Sequence, residues 1–90
     1  MKKIARIALL ESTIKQLGYT LRYEKGNFLG GECRLKENKV VVVNRFLPME
    51  GKIYTLAQVI TRINPPGLSP EVAKIIDKLV ENNLFSKRTE

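Results

Sequence analysis

Four consecutive valines, Val40 to Val43, constrain this chain more than any other stretch. β-Branched side chains are stiff at χ1 and favour extended backbone. Four in a row, without polar alternation, suit a strand covered on both faces or lying at a sheet centre. Upstream, Cys33 and Leu35 alternate with Arg34 and Lys36. Glu37-Asn38-Lys39 offers a tight connection, so the stretch reads as a β-hairpin. Gly30-Gly31 does not read as a phosphate loop, which would end in Lys-Ser/Thr at a helix start. The pair instead permits a bulge or a close backbone crossing. After the valines, Ile53, Leu56, Ala57, Ile60 and Ile63 define an apolar helical face with Val59 at its edge. That helix is expected to pack on the hairpin. Pro48 suits its first turn, Gly51 weakens it by roughly 1 kcal/mol relative to alanine, and Asn64-Pro65-Pro66-Gly67 ends it.

The remaining elements follow from periodicity. Ile4, Ile7, Leu10, Ile14 and Leu17 recur at steps of three and four, predicting a helix over 3–17 with these residues inward. Gly18 stands where a C′ glycine would stop it. Tyr19 to Glu24 alternates, with Tyr19, Leu21 and Tyr23 on one side, as in a half-buried strand. Lys25-Gly26-Asn27 signals a turn, and Phe28 and Leu29 could close one end of the core. Ser69-Pro70-Glu71 opens a last helix, with Ser69 as N-cap and Val72, Ile75, Ile76, Leu79 and Val80 as its buried stripe. Asn82-Asn83 is a stop, Leu84 and Phe85 could return to the core, and Ser86 to Glu90 is expected to fray. The expected architecture is α+β: one domain over 1–90, a small antiparallel three-stranded sheet with helices packed on one face, in the order α-β-β-β-α-α.

Composition removes whole classes of chemistry. The chain contains no histidine, which rules out Ser-His-Asp and Cys-His nucleophiles and every zinc site that needs imidazole. Cys33 is the only cysteine, so no internal disulfide forms, in keeping with a reducing compartment. In phase with Leu35, it reads as buried and inert rather than as a reactive thiol. No apolar stretch approaches the roughly 20 residues of a membrane span. The start resembles a signal peptide, but Arg6 and Glu11 interrupt its apolar part, so the expectation is a cytoplasmic protein. At 90 residues, the core is lean enough to leave room for a homodimer. The formal charge is +7, which draws polyanions by steering and counterion release.

Residues 14–63, taken together, resemble the N-terminal half of the ImmA/IrrE-type zinc metallopeptidases. The matching features are Leu17-Gly18, a strand, a hairpin, the valine strand ending in Asn44, then Leu47-Pro48-Met49-Glu50 and Tyr54-Thr55-Leu56-Ala57. The family motif continues as His-Glu-x-x-His, two imidazoles one helical turn apart holding zinc and a glutamate acting as base. Here those positions carry Gln58, Val59 and Arg62: a poor ligand, a side chain that accepts no proton, and a permanent cation. The resemblance therefore implies a metal-free scaffold whose helix face could still present Gln58 and Arg62 to a partner.

Two functional expectations follow. The first is a non-catalytic binding or scaffold domain, without cofactor or metal, that acts through a protein partner. The alternative is a nucleic-acid-binding protein using a basic sheet face. The candidate surface comprises Arg22, Arg34, Lys36, Arg45, Gln58 and Arg62. An RNA-binding sheet also needs exposed aromatics between its cations. Tyr19, Tyr23, Phe28, Phe46 and Tyr54 are mostly in phase with the core instead.

Overall fold

The computed structural model describes residues 2–25, 33–36 (the last through their backbone alone) and 39–81. Its elements run α1 (Lys3–Gln16), β1 (Thr20–Glu24), β2 (Cys33–Lys36), β3 (Val40–Asn44), α2 (Met49–Ile63) and α3 (Pro70–Glu81). The expected glycine crossing at 30–31, the turn at 26–27, Phe28, Leu29 and the segment beyond Glu81 lie outside the described residues.

The fold is α+β, but its sheet is not the antiparallel one the sequence suggests. Strand order is β1-β3-β2. β1 pairs with β3 in parallel, Thr20 opposite Val40 through Glu24 opposite Asn44, and only β2 runs antiparallel to β3. The reason lies in the valines. A simple meander would leave β3 at an edge, with its ladder groups and apolar faces open to water. Insertion between two strands that each carry alternating polar residues makes β3 the centre. Val41 and Val43 are fully buried in the main core, and Val42 is 4% exposed on the opposite face. The parallel ladder extends at both ends: Thr20 N–H donates to the Lys39 carbonyl (2.8 Å) and Arg45 N–H to the Glu24 carbonyl (3.1 Å). At the hairpin, Lys39 adopts φ 62°, the left-handed conformation that three-residue connections use to match strand twist.

The helices follow local chemistry closely. α1 ends in a Schellman motif: Gly18 at φ 91° donates to the Lys15 carbonyl (3.0 Å), and Tyr19 N–H donates to that of Ile14 (3.3 Å). α2 starts at Met49, with Pro48 as N-cap, and stops at Asn64 in the left-handed region. At the start of α3, the Ser69 hydroxyl accepts from Val72 N–H (3.3 Å). Leu10, Ile14, Val41, Val43, Ile53, Leu56, Ala57, Ile60 and Val72 form one core, together with Val59. Two sequence expectations change here. Val59 is not at the edge but 1% exposed, and Ile4, expected inward, is 67% exposed. α2 packs against both α1 and α3, whereas the first turn of α1 lines a cleft with the first turns of α2 and one face of α3.

Candidate functional site

A concavity lies where the first turn of α1 meets α2 and α3. It is a cleft of about 780 Å³. The first turn of α1 supplies Lys3 and Arg6, the first turns of α2 supply Glu50, Gly51, Ile53 and Tyr54, and one face of α3 supplies Glu71, Lys74, Ile75, Lys78 and Leu79. The α3 positions fall at i, i+3, i+4, i+7 and i+8, a single helical face. Ile75 and Leu79 give the cleft apolar surface over a floor of Ile53, which is 5% exposed, and Tyr54 adds an aromatic ring. Of the α3 stripe, only Val72 is fully buried; Ile75, Ile76, Leu79 and Val80 keep part of their surface open.

Charge around the cleft is unbalanced. Four cations face two carboxylates. Lys3 and Glu50 form an ion pair at 3.0 Å that bridges the starts of α1 and α2. Among the described residues Arg6, Lys74 and Lys78 have no ion pair. A second groove, of about 620 Å³, runs between α1 and the turn before α3; its only charged lining residue is Glu71, so it offers little to select a partner by charge.

The sequence-predicted residues do not converge on this cleft. Arg22 stands on β1, opposite Val42, and Arg34 stands opposite Val42 from the other side. By backbone register, these two positions and Lys36, opposite Val40, share the sheet face away from the core. The side chains of Arg34 and Lys36 are outside the described residues. Arg22 is tied to Glu24 in the same strand at 2.6 Å, which neutralises part of that face. Arg45 follows β3, with its guanidinium carbon 6.0 Å from the centre of the Phe46 ring. Phe46 is 70% exposed, held in a turn in which its N–H donates to Asn44 Oδ1 at 3.0 Å. The aromatics are expected mostly in phase with the core; Phe46 is out of that phase because the strand ends at Asn44.

Gln58 is half-buried and Arg62 exposed on α2, one turn apart, and neither lines the cleft. Arg62 lies in the last turn of α2, where a cation complements the helix dipole. Val59, at the position matching the motif's glutamate, points into the core. Among the described residues, no group of three or more His, Cys, Asp or Glu side chains lies together.

One polar cluster escaped the sequence reading. The Tyr23 hydroxyl donates to Glu11 Oε2 at 2.5 Å, and Lys52 Nζ lies 5.4 Å from the Tyr23 ring centre. Burial, then the hydrogen bond to Glu11 and that residue's negative charge, hold the Tyr23 phenol well above its ordinary range. It stays protonated, as a structural donor joining α1, β1 and α2. The alternation of 19–24 had marked Tyr23 as inward, but nothing in sequence spacing pairs it with a residue twelve positions earlier.

Comparison of the chain with protein-family models, with curated proteins and with solved structures finds no match in any of the three.

Proposed function

We propose that this chain is a non-catalytic binding domain that holds a segment of a protein partner in the cleft between the starts of α1 and α2 and the face of α3. The observation that carries this reading is the apolar cleft surface rimmed by Arg6, Lys74 and Lys78. Apolar area supplies affinity, and a one-signed rim supplies orientation and selection. The likeness to the ImmA/IrrE-type enzymes fits a metal-free scaffold of this kind. With Val59 in the core and Gln58 and Arg62 outside it, α2 serves as a packing element. The single cysteine suits a reducing compartment, the cytoplasm. Among the described residues no helix is long and apolar enough to cross a membrane.

A nucleic-acid reading has one observation in its favour: the register that sets Arg22 and Arg34 on either side of Val42, with Arg45 and the exposed Phe46 at the strand's end. Affinity capture with nuclease treatment separates the two readings. The expected result is a nuclease-resistant protein partner, lost on Lys74→Glu with Lys78→Glu and retained on Arg22→Glu. Capture that vanishes with nuclease and with Arg22→Glu would replace this reading by the second.

A further inference from the structure

Three features of the cleft point to the same kind of occupant. The first is the start of α1. Lys2 is its N-cap residue and makes no side-chain cap, and the first turn contains no acid. Lys3 and Arg6 stand there instead, against the positive end of the helix dipole. Only Glu50, reaching across from α2, offsets this. A local misfit of this sort persists where another requirement holds it in place.

The second feature is Gly51. It lies inside α2 with helical geometry, where glycine is a poor choice. The nearest atoms that a Cβ added there would meet belong to Leu47 and Pro48, at 3.4 to 3.5 Å. The fold itself therefore accepts a Cβ at this position in ordinary contact. What glycine provides at this position is an open cleft wall, to which another backbone can come close.

The third feature is the spread of apolar surface beyond the cleft. Ile4 and Met49, 67% and 47% exposed, are the sequence neighbours of the lining residues Lys3 and Glu50. Along α3, Ile75 and Leu79 alternate with Lys74 and Lys78. Glu71 to Leu79 spans about 12 Å, two turns of helix. An amphipathic helix laid in such a groove presents apolar anchors at i, i+3 or i+4 and i+7, with its flanking positions over the rim.

We propose that the cleft is a receptor for a short acidic amphipathic helix, whose apolar side meets Ile53, Ile75 and Leu79 and whose carboxylates meet Arg6, Lys74 and Lys78. This rests on the reading of the chain as a protein-binding domain and specifies the partner's chemistry. Carboxylates at i and i+4 on the incoming helix match Lys74 and Lys78, which are themselves at i and i+4. A partner carboxylate also competes with Glu50 for Lys3 and lies near the start of α1, where negative charge is favoured. The net +7 of the chain speeds the encounter.

The test is a titration of the isotope-labelled full chain, followed by amide chemical shifts. The probes are three synthetic helical peptides of about four turns, each with leucine at the anchor spacing, flanked by glutamate, glutamine or lysine. A fourth probe is a single-stranded oligonucleotide of the same charge as the acidic peptide. The expected result is saturable movement of amides in the first turns of α1 and α2 and along α3 with the acidic peptide. Affinity should fall at least about tenfold for the glutamine peptide, and further for the lysine peptide. Lys74→Glu with Lys78→Glu should weaken the acidic peptide by about tenfold or more and favour the lysine one. Gly51→Leu, a substitution that suits a helix, should block the acidic peptide while leaving the rest of the spectrum in place. Equal affinity for the glutamate and glutamine peptides would overturn the acidic preference and leave the cleft reading standing. If no peptide moves cleft amides, both fall. Stronger movement of the same amides by the oligonucleotide would replace a helix with a polyanion as occupant.

Discussion

Val59 shows most directly how a single position can set what a helix face is able to do. Its side chain is 1% exposed among apolar neighbours. A carboxylate there would be desolvated without a partner. Val59→Glu should therefore destabilise the fold by at least about 3 kcal/mol, read as a large fall in the denaturant midpoint. Gln58→His and Arg62→His, on the flank of α2, should each stay within about 1 kcal/mol of wild type. An unchanged midpoint for Val59→Glu would mean that this side of α2 faces solvent. Tyr23 is a second test at this scale. Its phenol is held above its ordinary range in the folded state by burial and Glu11. The stability this contributes is fully present below pH about 10, the unfolded value, and is lost as pH rises beyond it. Tyr23→Phe should thus cost about 1–2 kcal/mol at neutral pH, by leaving Glu11 without its donor. It should also flatten the alkaline decline, which urea denaturation at stepped pH measures. The inward phase of Tyr23 was legible from the alternation of 19–24; its partner was not, because the contact crosses from a strand to a helix.

At the scale of elements, α1 is the piece whose ends differ most. Its C-terminus is closed by Gly18, the stop the sequence announced, through the hydrogen bonds of a Schellman motif. Its N-terminus has Lys2 where a capping side chain would satisfy the free N–H groups. Lys2→Ser should stabilise the chain by about 1 kcal/mol, a rise in thermal midpoint of roughly 4–8 °C for a domain of this size. No rise would show that the first N–H groups are satisfied by other means. α3 differs in another way. Its start was readable from Ser69-Pro70, but its five apolar positions bury only Val72 completely. Periodicity tells which residues share a face; it does not tell how much of that face the rest of the fold covers. The same limit explains Ile4, in phase with Leu10 and Ile14 yet exposed. A stripe continues to the end of a helix whether or not the core does.

Over the whole molecule, the surplus of cations is the dominant long-range term. Sixteen lysines and arginines against nine acids repel one another in the compact state. Raising salt from a few millimolar towards about 0.15 M, where the Debye length is about 8 Å, should raise the thermal midpoint, and the gain should level off as screening completes. A midpoint that falls instead would mean that ion pairs such as Lys3–Glu50 and Arg22–Glu24 outweigh the repulsion. Both pairs are well exposed, where a pair contributes only about 0–1 kcal/mol.

The sequence by itself determined the elements, because their signals are local. Side-chain stiffness makes Val40 to Val43 a strand, a glycine closes α1, a proline and an asparagine bound α2, and a serine caps α3. It also excluded histidine chemistry, since an absent side chain needs no geometry to be ruled out. The pairing of β1 with β3 and the cleft were decided by the tertiary structure alone. β1 and β3 pair because the most apolar strand must be covered on both edges, which is a property of the assembled sheet. The cleft forms because Lys3, Glu50 and Lys78, far apart along the chain, meet only when three helices pack on one core.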